Sequence, residues 1–282
     1  MKRSISLLLL LLTVAPFSAM GQEAPATADE TLNRVLNQLE SGELDSAIQT
    51  LEAARDAGTE DPRITQTLGA LYLEASRADE AASTLAPLAD SPDAEPAVLY
   101  NAGRAAAAVG NLEQAVGYLE RSLAISPVTP AARELGFVRL RQGSLMDAYL
   151  LLRPWSRLNP DDTGALLAAT SCAVALGRAS EAEEMLLTLP LDLPTANILR
   201  GRVGLLNQDG WGALAVVQPL SENPPEGLEP QILSVLAESY LLMEQPASAV
   251  QELEGEVGND PDLIRLLSRA QAAAGDQQQA LE

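Results

Sequence analysis

The sequence predicts an all-helical protein built from repeated helix hairpins. Alanine and leucine, which are strong helix formers, dominate the 282 residues, and only 3% of the residues are aromatic. From Ala47 to Ala280, alanines recur at intervals of 34, 34, 33, 34, 31, 36 and 31 residues. Turn-forming segments, most of them containing glycine, separate the predicted helices. A single hairpin cannot bury its apolar face alone, so we expect the hairpins to stack and share a core.

Each recurring alanine is part of a longer repeated pattern. In most units a small residue lies twelve positions before the alanine. In the third unit Gly103 precedes Ala115 by twelve residues, and Leu119 follows four residues later. Two antiparallel helices approach closely only where side chains are small, so we expect Gly103 and Ala115 at a crossing with Leu119 beside it. The equivalent small residues are Gly69, Gly136, Thr170, Gly201, Ala237 and Ser268, and the equivalent alanines are Ala47, Ala81, Ala148, Ala182, Ala213, Ala249 and Ala280.

The register divides the chain from residue 28 into eight units. We predict their bounds as about 28–61, 62–95, 96–128, 129–162, 163–193, 194–229, 230–260 and, incomplete, 261–282. Each turn, including the last one, AAGDQQQA, is expected to end one helix and begin the next. Pro219, inside the sixth second helix, predicts irregular geometry there. Either the eighth unit is cut short at Glu282, or its first helix is a cap.

This pattern resembles the tetratricopeptide repeat family, whose period is about 34 residues. In the third unit the matching residues are Ala102, Gly103, Gly110, Ala115, Leu119, Ser122 and Pro127. The resemblance covers nearly the whole chain after residue 28. It implies a right-handed α-solenoid of about seven to eight hairpins, whose first helices line a concave groove that binds peptides.

The N-terminal segment has the pattern of a secretory signal peptide. Lys2 and Arg3 precede an apolar run, and Ala19 and Gly21 then occupy the positions expected before a cut at Gln22. A membrane anchor is the alternative, but the run is shorter than the roughly 18 residues that a spanning helix needs. We therefore predict a signal peptide over 1–21, a linker over 22–27, and a periplasmic or secreted protein without a stable membrane anchor.

The predicted exported chain is strongly acidic. Removal of residues 1–21 leaves 16 arginines against 39 acidic residues, a net charge of −23. Such a charge opposes binding to nucleic acid and to anionic lipid, so we expect neither partner. The single cysteine excludes an internal disulfide, and stability must therefore come from packing.

Little in the sequence suggests catalysis or metal binding. The chain has no histidine, which excludes histidine-based triads and histidine metal sites. Cys172 lies in an apolar helical segment, so we interpret it as a buried, inert thiol. The pair Asp161 and Asp162 follows a proline where a helix should begin, and capping explains it. We predict no enzyme activity, no cofactor and no bound metal.

The family resemblance implies that partner-binding residues lie on the first helices of the hairpins. Arg133, Phe137 and Arg141 follow a four-residue spacing and so share one helix face, and their chemistry suits a carboxylate or an acidic peptide. Alternatively, the arginines only pair with acids of neighbouring helices. The candidate binding residues are Tyr100, Asn101, Arg104, Arg133, Phe137, Arg141 and Arg202, with Ile198 and Glu238 as further groove positions.

These observations predict a non-enzymatic protein–protein interaction scaffold. The resemblance, the predicted export and an arginine-rich, lysine-poor composition suggest an accessory of envelope, pilus or polysaccharide-export assembly in a bacterial periplasm. Two alternatives remain open. One is a structural protein that self-associates through its exposed ends, and the other is an export accessory that binds polysaccharide.

Overall fold

The computed structural model describes residues 27–127 and 130–281, with side chains described as far as residue 275. In this part the chain forms fifteen α-helices and no strand. The predicted signal peptide, residues 1–21, and most of the predicted linker lie outside the described residues. None of the described helices is both long enough and apolar enough to cross a membrane. The helices are α1 (Ala28–Glu40), α2 (Leu44–Asp56), α3 (Pro62–Glu74), α4 (Ala78–Ala89), α5 (Pro96–Ala108), α6 (Leu112–Ile125), α7 (Pro130–Arg141), α8 (Leu145–Leu158), α9 (Thr163–Ala175), α10 (Ala179–Leu186), α11 (Pro194–Leu206), α12 (Gly210–Ser221), α13 (Glu229–Leu242), α14 (Pro246–Leu253) and α15 (Pro261–Leu281).

The chain divides into two compact units, Met1–Gln142 and Gly143–Glu282. Helices α1 to α7 belong to the first unit and helices α8 to α15 to the second. In the first unit each helix packs against the next one, and the first helices α3, α5 and α7 are also neighbours. This is the arrangement of stacked helix hairpins that the spacing of small residues predicts.

Small residues occupy the hairpin crossings of the first unit, as the register predicts. Ala47, Ala81 and Ala115 are completely buried. Gly69 lies against Leu85 and Gly103 lies against Leu119, with no room for a Cβ atom at either glycine. The glycines thus allow the second helix of each hairpin to place a leucine directly on the backbone of the first.

The turn inside each hairpin uses one residue in the left-handed conformation. Gly110 has a φ of 86°, and the N–H of Asn111 donates to the carbonyl of Ala106 at 2.9 Å. This bond satisfies a carbonyl at the C-terminus of α5 that would otherwise lack a helical donor. Ser76 takes the same place between α3 and α4 with a φ of 59°. The hairpin turn therefore does not require glycine, although glycine fits it without steric cost.

The second unit follows the same packing rules with less regular sequence. Ala182, Ala213 and Ala249 are completely buried. Gly201 on α11 lies against the side chains of Val217 on α12 and Val235 on α13, the two helices that follow it. Helix α12 continues through Pro219 to Ser221, so the proline does not end it. Asp162 caps α9 by accepting from the N–H of Ala165 at 3.1 Å, which confirms the capping interpretation of that acid.

The last predicted turn is wrong. The segment AAGDQQQA does not end one helix and begin another, because α15 runs on through Gly275 as a single helix of 21 residues. Alanine and glutamine have high helix propensity, and one glycine costs a helix only about 1 kcal/mol relative to alanine. These preferences are enough to continue the helix.

Candidate partner-binding surfaces

The first unit brings together four of the predicted binding residues on α5 and α7. The guanidinium carbon of Arg104 lies 5.6 Å from the ring centre of Tyr100, and that of Arg133 lies 4.8 Å from the ring centre of Phe137. Burial raises the pKa of Tyr100, and the charges of Arg104 and Arg133 act against this shift. Because α5 and α7 are neighbours, these two arginine–aromatic contacts lie on one surface.

Both arginines of this surface already have carboxylate partners. Arg104 Nη2 lies 3.7 Å from Glu74 Oε1 on α3, and Arg133 Nη1 lies 2.7 Å from the neighbouring Glu134 Oε1. All of these side chains are between one quarter and two fifths exposed, so water weakens each pair. An incoming carboxylate would have to compete with Glu74 and Glu134.

The other two predicted residues of the first unit lie apart from this aromatic cluster. Arg141 Nη1 donates to the carbonyl of Ala107 at 2.5 Å, at the end of α5. Asn101 lines a separate cavity of about 400 Å³, together with residues of α1, α3 and the segment before α5. In that cavity Arg63 is held by Asp61 and Asp29. The predicted binding residues of the first unit are therefore spread along α5 and α7 and do not line one pocket.

The second unit contains a larger cavity of about 730 Å³, formed by the first helices α9, α11, α13 and α15 and the turn after α11. Arg202 from α11, one of the predicted binding residues, lines it, and so does Glu238 from α13. Arg265 and Arg269 enter it from α15, while Val174, Leu205, Leu206 and Leu266 supply apolar surface.

The charges in this cavity differ from those of the first unit. Arg265 forms an ion pair with Asp262, and Glu238 accepts from the hydroxyl of Ser234 at 2.9 Å. Within the described part of the chain, Arg202 and Arg269 have no hydrogen bond or ion pair. The cavity thus presents two guanidinium groups that form no ion pair, beside apolar side chains and the carboxylate of Glu238, an arrangement that can bind a carboxylate together with an aliphatic group.

Arg265 and Arg269 were not among the predicted residues, although the register contained the signal. Arg202 directly follows the small residue Gly201, and Arg269 directly follows Ser268 at the equivalent position. The prediction of Ile198 as a groove position is wrong, because its side chain is only 4% exposed and belongs to the core formed with α12 and α13. An apolar side chain at that position stabilises the folded chain when it is buried and would not do so in contact with water.

Cys172 does not have the surroundings of a reactive thiol. Cys172 is completely buried, as predicted, and burial raises the pKa of its thiol to about 11. A neutral buried thiol is a poor nucleophile. No group of three or more cysteine, aspartate or glutamate side chains among the described residues could hold a metal ion.

Comparison with known proteins supports the repeat interpretation. Residues 38–99 match the family model described as tetratricopeptide repeat. A tetratricopeptide repeat protein from Parabacteroides merdae is 16% identical, with 86% of this chain and 98% of that one covered and a TM-score of 0.54. No sequence among the curated proteins matches.

Two further solved structures have the same fold. PilF of Pseudomonas aeruginosa is 17% identical, with 74% of this chain and 96% of that one covered and a TM-score of 0.59. PilW, described as a widely conserved type IV pilus biogenesis factor, is 16% identical, with 73% and 96% covered and a TM-score of 0.53. At these identities the likeness establishes the fold alone. The family match applies to residues 38–99, which contain a tetratricopeptide repeat sequence.

Proposed function

We propose that this protein is a non-catalytic scaffold that binds an acidic segment of a partner protein on the first helices of its hairpins. The tetratricopeptide repeat fold supports a role in protein–protein interaction. Within that role, the arginine-lined surfaces favour a partner segment that carries carboxylates and at least one aliphatic side chain.

The observation that carries this proposal is the pair of arginines without partners in the second unit. Neither arginine forms an ion pair within the described part of the chain, although the carboxylates of Glu238 and Asp262 line the same cavity. Arg202 and Arg269 lie in one cavity with Leu205 and Leu266. A guanidinium group can bind a carboxylate through two parallel hydrogen bonds, while the leucines would bury an aliphatic side chain of the same segment.

The surface on α5 and α7 is the second contact in this proposal. Arg104 and Arg133 already form ion pairs with Glu74 and Glu134. The surface on α5 and α7 would therefore contribute less to the affinity for the partner than the cavity with Arg202. Tyr100 and Phe137 offer flat apolar area there, which suits an extended segment.

We also propose that the protein acts after export, in the bacterial periplasm. The signal-peptide pattern over residues 1–21 supports export. The likeness in fold to PilF and to the pilus biogenesis factor PilW motivates a role in envelope or pilus assembly. Sequencing the N-terminus of the protein recovered from cells would test this proposal, since cleavage should leave Gln22 as the first residue.

The proposed function is tested by capturing partners from a native envelope extract with the chain expressed from its full sequence and tagged at the C-terminus. One variant carries Arg202→Glu and Arg269→Glu, and a second carries Arg104→Glu, Arg133→Glu and Arg141→Glu. The control is Arg34→Glu, because Arg34 is exposed on α1 and, within the described part of the chain, has no ion pair.

We expect the native chain and the Arg34 control to retain the same partner, and the variant at 202 and 269 to lose it. The triple variant should bind more weakly than the native chain. Capture that is equal for all four proteins would contradict the proposed surfaces, and no captured protein would contradict the scaffold role. Circular dichroism of each variant separates lost binding from lost folding.

A further inference from the structure

The cavity of about 400 Å³ in the first unit combines buried apolar residues with exposed polar ones. Its apolar lining includes Leu32 on α1, Ala70 on α3 and Val98 on α5, and each of these is at most 5% exposed. Because the three residues come from the first helices of three consecutive hairpins, the cavity extends across those hairpins. Its inner surface can therefore cover an aliphatic chain.

Two carboxylates line the same cavity from the segment that precedes α5. Asp93 and Glu95 are both exposed. Glu95 is the N-cap residue of α5, but its side chain makes no capping hydrogen bond to that helix. Within the described part of the chain, neither carboxylate forms a hydrogen bond or an ion pair. Both carboxylates are therefore available to a cation.

The arginine that lines this cavity does not balance these two charges. Arg63 Nη2 lies 2.7 Å from Asp61 Oδ2 and 2.8 Å from Asp29 Oδ1, so its charge is already shared by two other carboxylates. The cavity and the groups that hold its arginine thus contain one guanidinium group against four carboxylates. Charge complementarity favours a cationic ligand here, in contrast to the cavity with Arg202 in the second unit.

Neutral polar side chains complete the lining of the cavity. Gln66 and Thr67 lie on α3 and Asn101 lies on α5. All three are partly exposed, and none of their side chains forms a hydrogen bond to another described residue. Amide and hydroxyl groups can donate to and accept from a peptide backbone. An inorganic cation would use neither these groups nor the apolar residues, so a peptide segment with a cationic side chain fits the cavity better.

We propose that this cavity binds a basic side chain, lysine or arginine, of the partner segment. The aliphatic stem of that side chain lies against Leu32, Ala70 and Val98. Its charged end remains close to water and binds Asp93 and Glu95, as long basic side chains commonly bury the stem and leave the charge exposed. The inference deepens the proposed function and rests on it in one respect, namely that the basic side chain belongs to the partner segment. That segment then carries a basic residue in addition to its carboxylates.

The test is an NMR titration of the full chain with blocked tripeptides, which does not require the partner to be known. The probes are acetyl-glycyl-lysyl-glycinamide, the norleucine peptide, which keeps the aliphatic stem without the charge, and the glutamate peptide, which reverses the charge. In salt of about 0.15 M, at which the screening length is about 8 Å, we expect the lysine peptide to bind with a Kd of about 1 mM and to shift the side-chain amide signals of Gln66 and Asn101. The other two peptides should bind at least about tenfold more weakly.

Two charge-matched variants test whether binding is local to the cavity or follows from the acidic chain as a whole. Asp93→Asn with Glu95→Gln should weaken binding of the lysine peptide by at least about tenfold. Glu43→Gln with Asp45→Asn is the control, because it removes two negative charges at the same spacing from exposed positions that do not line the cavity. The control should bind the lysine peptide as the native chain does, and circular dichroism verifies the folding of both variants.

Three outcomes would overturn the inference: a native chain that does not bind the lysine peptide, equal binding of the lysine and norleucine peptides, and equal binding by the two variants. The proposed function is tested separately by capture with the variant at 202 and 269, since the tripeptides contain no carboxylate partner for those arginines except in the glutamate probe. Failure of the lysine peptide with successful capture would remove the basic side chain from the proposal and leave the scaffold role standing. Failed capture with a bound lysine peptide would do the reverse.

Discussion

Gly103 on α5 lies directly under the side chain of Leu119 on α6. A Cβ atom at residue 103 would stand 2.6 Å from Cγ and 2.8 Å from Cδ2 of that leucine, distances that real Cβ atoms do not reach. Leu119 is completely buried, so it has no free space into which it could move. Glycine is therefore needed at residue 103 because the helix crossing leaves no room for a side chain. It is not needed for a backbone conformation that other residues avoid.

We expect Gly103→Ala to lower the free energy of unfolding by about 1 to 3 kcal/mol, the usual cost of overfilling a packed core. Alanine would favour the isolated helix by about 1 kcal/mol, so packing must outweigh propensity. Gly117→Ala is the matched control, since Gly117 is exposed within α6 and a Cβ there meets nothing within 4 Å. It should raise stability in urea unfolding. Equal gains for both variants would contradict the close crossing.

The crossings could be predicted from the sequence because their cause is local and repeated. Ala115 and Gly103 are small for one steric reason, and the same reason applies at Ala81 and Gly69. A pattern that recurs in every unit can be recognised even when each single match carries little information. The interior of the hairpins follows from this pattern alone.

Which arginines form ion pairs could not be predicted in the same way. Arg104 pairs with Glu74, which is thirty residues away in the neighbouring unit, while Arg202 has no such partner among the described residues. Which acid meets which arginine depends on side-chain rotamers and on the offset between neighbouring helices. Neither the rotamers nor the offset produces a regular pattern in the sequence. The surfaces of repeat proteins are therefore harder to predict than their cores.

Ser76 is expected to cost stability at the turn between α3 and α4, because its φ of 59° is unfavourable for a residue with a Cβ. Ser76→Gly should raise the free energy of unfolding by about 0.5 to 1 kcal/mol, since the relief of strain exceeds the entropy that glycine adds to the unfolded chain. Gly110→Ser, at the equivalent turn with a φ of 86°, should lower it. Thermal unfolding of the two variants checks the opposite signs, and shifts in the same direction would refute the argument.

Pro87 lies inside α4, where it prevents a hydrogen bond to the carbonyl of Ser83. Because Pro87 is exposed, its ring contributes little packing, and we expect Pro87→Ala to raise the free energy of unfolding by about 1 to 2 kcal/mol. Pro96→Ala is the control. Pro96 occupies the first turn of α5, where its N–H would have no helical partner anyway, so this change should give no gain. Urea unfolding of both variants measures the difference.

Cys172 should make the stability of the second unit depend on pH in alkaline solution. Burial raises the pKa of its thiol from 9.0 to about 11 in the folded chain, so the unfolded chain releases the proton first. The thiol therefore contributes stability below about pH 9, and this contribution is lost as the pH rises towards about 11. Cys172→Ala should remove that part of the pH dependence.

The comparison must be made as a difference between the two proteins. Burial also raises the pKa of tyrosines such as Tyr149 and Tyr240, and their ionisation destabilises the folded chain in the same direction. Since both proteins contain these tyrosines, subtracting the two curves of unfolding free energy against pH isolates the thiol. The native thiol should also resist a disulfide reagent at pH 8 until the chain is unfolded. Rapid labelling of the folded protein, or parallel curves between pH 9 and 11, would show that Cys172 is accessible to water.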